Sequence, residues 1–139
     1  MSLRYLLDTN VISEPLRPVP NPRIQQRLRR HQEELAIAAV VWHELLFGCY
    51  RLPPSVKRQA VADYLFRVVA PSIPILPYDE RAAEWHAAER ARLVAAGKTP
   101  SFADGQIAAS ARVNDLILVT ANTTDYDGFQ EVTIEDWRM

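Results

Sequence analysis

Apolar residues follow two alternating rhythms along the chain. Short unbroken runs rich in Val, Ile and Leu occupy residues 4–7, 35–41, 73–76, 116–120 and 131–134, and such runs predict brief strands covered on both faces. Between them apolar positions recur at helical spacing. The stretch VVWHELLFGC places Trp42, Leu45, Leu46 and Cys49 on one stripe, and SVKRQAVADYLFRVVA does the same for Val56, Ala60, Val61, Tyr64, Leu65 and Val68. Strands alternating with amphipathic helices predict an α/β fold with a short, mainly parallel sheet of about five strands flanked by helices.

Boundary signals agree with this reading. Asn21 followed by Pro22 is an N-cap with proline at the first helical position, and Asp79 opens a helix that Gly97 closes. Pro53-Pro54 and the prolines between 71 and 77 are turns inside one domain rather than linkers. The length of 139 residues matches one domain, residues 1–139, large enough to bury a core.

A net charge of −1 excludes a polycationic nucleic-acid binder, so any nucleic acid has to be held by a local patch. The single cysteine, Cys49, excludes an internal disulfide and is expected to be buried and inert. The first apolar run is cut by Asp8 and LAIAAVVW is too short to span a bilayer, so a soluble, cytoplasmic protein with no membrane association is expected. His31, His43 and His86 lack the spacing of a zinc site and are expected at the surface or the rim of the core.

The acids stand in less ordinary places. Asp8 ends the first strand in RYLLDTNVISE, which at the carboxyl edge of a parallel sheet is where such folds bind ligands; it can equally cap the next helix. Glu44 lies just beyond the second strand and shares a helix face with Gly48. Asp104 in SFADGQIAASARV sits on the stripe of Ile107, Ala108 and Ala111, although Ser101-x-x-Asp104 also reads as a capping box. Thr120, Asn122, Asp125 and Asp127 crowd the exit of the fourth strand. Carboxylates gathered at one edge repel unless cations are bound, and oxygen-only ligands select Mg²⁺ or Mn²⁺ over zinc.

In this order the motifs resemble the PIN-domain family, and within it the VapC and FitB type ribonuclease toxins of type II toxin–antitoxin pairs. LLDTNVISE, WHELLFG, FADGQIAASA and LVTANTTDY carry the likeness, with Ala121 where these toxins often have Arg and Tyr126 where Phe is usual. The resemblance implies a single PIN-like nuclease domain and metal-dependent RNA cleavage by metal-activated water. It implies Asp8, Glu44, Asp104 and Asp125 as catalytic metal ligands, with Thr9, Asn10, Thr120 and Asn122 as hydrogen-bonding supports. An RNA substrate, a cognate antitoxin and a homodimer follow from the same likeness. Val61, Leu65, Trp85 and Leu93 are candidate interface residues, and Arg23, Arg27 and Arg30 are candidate phosphate contacts. The rival readings are a phosphatase with Asp8 as nucleophile, which would want an Asp where Asn10 stands, and a non-catalytic module whose acids hold a partner.

Overall fold

The computed structural model describes residues 2–139. Strand β1 (Tyr5–Leu7) runs into helix α1 (Thr9–Ile12) and a 3-10 turn (Glu14–Leu16), followed by α2 (Pro22–Arg30) and β2 (Leu35–Ala38). Helix α3 (Ala39–Tyr50), α4 (Val56–Asp63), a π-helical stretch (Tyr64–Val69) and the short α5 (Ala70–Ser72) lead to β3 (Ile75–Leu76). The chain closes with α6 (Glu80–Ala95), α7 (Phe102–Val113), β4 (Ile117–Val119), a 3-10 turn (Thr123–Asp125) and β5 (Ile134–Glu135).

All pairings are parallel and the sheet order is β3-β2-β1-β4-β5, as the alternating pattern predicts. Tyr5 is in register with Leu35 on one side and Ile117 on the other. Strands β1 and β2 are buried throughout because helices cover the sheet, so their side chains are apolar on both faces. From β1 the chain winds outward to β3, then returns to add β4 and β5 on the opposite side. The switch point therefore lies between the ends of β1 and β4, where open parallel sheets form their crevice.

The helix caps expected from sequence are present. Asn21 accepts from the N–H groups of Arg23 and Ile24, and Asp79 accepts from that of Ala82. Gly97 takes φ +78° beyond α6 while Lys98 N–H donates to the Leu93 carbonyl at 2.8 Å, a left-handed helix end that glycine adopts without steric cost. Cys49 is buried and free.

Three expectations need correction. The run 35–41 is extended only to Ala38, because the helix begins at Ala39 and buries Val41 from the helical side; a short apolar run does not distinguish strand from buried helix. The last strand is Ile134–Glu135 rather than 131–134, since Glu131 has φ +61° and turns the chain. The third concerns the helical face at 55–70. Ala70 N–H donates to the Leu65 carbonyl, the wider repeat of a π-helix, which inserts an extra residue into the turn. Val69 thereby joins Leu65 in the core, whereas Val68 is half exposed and Val56 lies in solvent.

No helix among the described residues is long and apolar enough to cross a membrane.

Candidate active site

Asp8 leaves β1 at the switch point with its N–H still on the sheet, donating to the Val119 carbonyl at 2.9 Å. Its carboxylate is buried and fully engaged. Oδ1 accepts from Thr9 N–H at 2.7 Å, which makes Asp8 the N-cap of α1. Oδ2 accepts from the Thr120 hydroxyl at 2.8 Å, the Tyr126 hydroxyl at 3.1 Å and the Asn10 amide at 3.3 Å. Capping thus takes one oxygen, while the other gathers donors from three separate segments. A buried carboxylate without such donors would be strongly unfavourable.

Asp104 arrives from the first turn of α7. Ser101 caps that helix by accepting from Asp104 N–H at 3.0 Å, but the Asp104 carboxylate accepts from the Tyr126 hydroxyl at 3.2 Å. Only half of the capping box is formed. Burial holds the Asp104 carboxyl above the ordinary aspartate range, and the charges of Asp125 and Asp8 push it further the same way. The Ser101 and Tyr126 hydroxyls offset part of that shift. Asp104 therefore feels both Asp125 and Asp8 as charges at the same edge.

Glu44, on the second turn of α3, is joined to the cluster through Thr9, whose hydroxyl donates to Oε2 at 2.6 Å. Asn10 accepts from Ala121 N–H at 3.0 Å through its side-chain oxygen, clamping the β4 exit to α1. Thr120 is fully buried and also accepts from Asn122 N–H at 3.0 Å. Asn122 contributes that backbone N–H rather than its side chain. Asp125 ends the 3-10 turn in an exposed position and lines a cavity of about 210 Å³ with Lys98, Thr99, Pro100, Thr124 and Asp127.

Two supports escape sequence reasoning. The first is the Tyr126 hydroxyl between Asp8 and Asp104; burial, and then the two carboxylates, push its pKa far above the ordinary tyrosine range, so it stays a phenol. The second holds the loop that carries Tyr126. Glu89 accepts from both Arg92 Nε and Nη2 at 2.9 Å and from Gln130 N–H at 2.8 Å, while Arg92 donates to the Gly128 carbonyl at 2.8 Å. Arg92 and the Gln130 N–H hold the Glu89 carboxyl below the ordinary range. An acid and an arginine three apart on one helix signal a local pair, but their attachment to residues 128–130 has no trace in the sequence.

Gly105, next to Asp104, has a packing reason. A Cβ there would lie within 2.7 Å of His86 Cε1 and 2.6 Å of Cδ2, and closer still to Nε2. His86 is buried, accepts or donates through Nδ1 to the Tyr78 hydroxyl at 2.8 Å, and is not the rim residue its isolation suggested.

The donor set suits a hard divalent cation, since it is all oxygen and its carboxylates repel. Among the described residues no three His, Cys, Asp or Glu side chains stand close enough to cage an ion as they are. The acids instead meet in pairs: the Tyr126 hydroxyl bridges Asp8 and Asp104, and Thr9 links Asp8 to Glu44, its N–H donating to the first and its hydroxyl to the second.

The candidate phosphate contacts are placed elsewhere. Arg23 donates to the Arg138 carbonyl at 3.3 Å and Arg27 to that of Met139 at 2.8 Å, so both hold the C-terminal segment. Arg30 borders a separate cavity with His31, Gln32, Glu33 and Glu34. Arg138 reaches the site's margin, paired with Asp136 and donating to the Ala121 carbonyl at 3.0 Å. Of the candidate interface residues, Leu65 and Leu93 belong to the chain's own core, with Val61 and Trp85 packed against it. Large exposed apolar residues lie instead at Phe47, Tyr50, Phe66 and Phe102.

The chain is similar to known proteins in sequence and in fold. The chain is 35% identical to Toxin FitB of Neisseria gonorrhoeae (strain ATCC 700825 / FA 1090) over 135 residues, covering 95% of this chain and 97% of that protein. It is 29% identical to the tRNA(fMet)-specific endonuclease VapC of Shigella flexneri, covering 97% and 98%. The solved structure of FitAB bound to an IR36 DNA fragment superimposes with a TM-score of 0.89 at 32% identity, covering 97% of this chain and 96% of that one. The PIN domain family model matches residues 5–133, a span that holds strands β1 to β4, and the chain belongs to the PIN-domain family.

Proposed function

We propose that this chain is a divalent-cation-dependent endoribonuclease acting as the toxin of a type II toxin–antitoxin pair, with Asp8, Glu44, Asp104 and Asp125 holding Mg²⁺ or Mn²⁺. The observation that carries this reading is the meeting of Asp8 and Asp104, from the first strand and the last helix, at the carboxyl edge beside the switch point. The names of the FitB and VapC relatives support a ribonuclease toxin. FitAB, solved bound to DNA, supports an antitoxin partner. A homodimer, residues 1–139 acting as one nuclease domain, and a cytoplasmic location belong to the same reading.

When bound, such a cation supplies Lewis-acid charge for a phosphodiester and lowers the pKa of water. The chain's own residues prepare that edge. Thr9, Asn10, Thr120 and Tyr126 orient Asp8 so that only the Thr9 N–H engages Oδ1. Thr9 also turns Glu44 toward α1, and Asn10 holds the β4 exit against it. The Asp125 charge, exposed at the rim, strengthens the field that attracts a cation and not a bare phosphate.

The test is cleavage of RNA by purified protein with Mg²⁺, with Mn²⁺ and with EDTA, beside Asp8→Asn and Asp104→Asn. Both variants are expected to lose cleavage while keeping the wild-type circular dichroism spectrum, since each removes a charge and almost no volume. Full cleavage by either variant removes that residue from the site. Equal cleavage in EDTA refutes the cation requirement.

A further inference from the structure

The Tyr126 hydroxyl occupies an unusual position. The side chain is fully buried, its ring faces Phe129, and its single hydroxyl lies 3.1 Å from Asp8 Oδ2 and 3.2 Å from Asp104 Oδ1. A phenol has one proton to donate, so the hydrogen bond is shared between two carboxylates or alternates between them. Its backbone is fixed as well: Tyr126 N–H donates to the Thr123 carbonyl and Phe129 N–H to that of Tyr126, while Glu89 and Arg92 hold residues 128–130. The hydroxyl cannot move far without a change in that loop.

We propose that Tyr126 is a positioning residue that stands in for the cation, its hydroxyl bridging Asp8 and Asp104 in the metal-free protein and yielding to a divalent ion that binds between them. This rests on the metal reading given above. The physical reason is competition for the same lone pairs. Asp8 Oδ2 already accepts from Thr120 and Asn10, so an ion reaching both carboxylates there must replace the phenol proton. Hydrogen bonds to charged groups are among the stronger ones, and their loss on ion binding weakens the apparent affinity. The return is an acid cluster that stays assembled without metal, because the bridge relieves part of the repulsion between Asp8 and Asp104.

Tyr126→Phe removes one oxygen and leaves the ring. Metal-free Tyr126→Phe is expected to melt several degrees below wild type. In saturating MnCl₂ the two proteins are expected to melt together, since the bridge is absent from both. Calorimetric titration with MnCl₂ should show the variant binding about tenfold or more tightly, the return of one charge-assisted hydrogen bond. In wild type, MnCl₂ should also change the near-ultraviolet tyrosine signal, and the variant should lack that change. The wild-type signal needs no variant to fold, and its absence at saturating Mn²⁺ overturns the inference. Equal or weaker Mn²⁺ binding by Tyr126→Phe overturns it too, leaving the metal centre standing. Wild type that binds no Mn²⁺ at all overturns the metal centre together with this inference.

Discussion

Gly105→Ala is the sharpest probe of how the site is held, because the same substitution should change sign with its neighbour. In an open helix, alanine in place of glycine stabilises by about 1 kcal/mol. At position 105 the new Cβ would meet three atoms of the His86 ring, two of them at 2.6 and 2.7 Å. That ring is trapped: it is buried, bound to Tyr78 at 2.8 Å and packed against Phe102 with centroids 4.8 Å apart. Overpacking of this kind costs about 1–3 kcal/mol, and the crowding lies toward the upper end because the obstacle is a ring edge rather than a flexible tip. The net expectation is a loss of roughly 1–2 kcal/mol, or about 3–8 °C in Tm for a domain of this size. In a His86→Ala background the obstacle is gone, and Gly105→Ala should stabilise by roughly 0.5–1 kcal/mol. Urea unfolding of the four proteins gives the coupling, expected at about 1.5–3 kcal/mol. Additivity within about 0.5 kcal/mol would show that α6 and α7 do not meet through this contact. Cleavage by Gly105→Ala should fall as well, since any shift of α7 carries Asp104 with it.

Glu89→Ala leaves Gln130 N–H without its partner and Arg92 without its acid, so a loss of roughly 1.5–3 kcal/mol is expected; an unchanged urea midpoint would refute the staple. Because the folded protein holds the Glu89 carboxyl below its unfolded value, its contribution is present above the unfolded pKa and is lost as pH falls through the folded one. His86 acts in a higher window: burial first, and then the Arg90 charge, lower its pKa, so the unfolded chain takes up the proton first. Stability should therefore fall as pH drops below about 6.5, until the lowered folded value is reached. His86→Gln should flatten that part of a Tm-against-pH curve, and an identical slope in the variant would exclude His86 as its source.

The strand pattern, the caps at Asn21 and Asp79, the left-handed end at Gly97 and the placing of Asp8 at a strand exit are all local, and sequence determined them. Each depends on a few neighbouring residues, on apolar period or on the backbone freedom of one residue type. The likeness to PIN domains rested on the same short stretches and extended to all four acids. What tertiary structure decided involves partners distant in the chain. The π-helical stretch moved Val69 into the core in place of Val68, because packing on the sheet outweighed α-helical phase. Arg23 and Arg27 were drawn to the carbonyls of the C-terminal segment, a contact for which a run of arginines carries no signal. Tyr126, a mere departure from Phe in the motif, became the bridge between Asp8 and Asp104. Hydrogen bonds across the fold depend on where the elements come to lie, and a buried donor acquires its meaning only from the acids that three-dimensional packing brings to it.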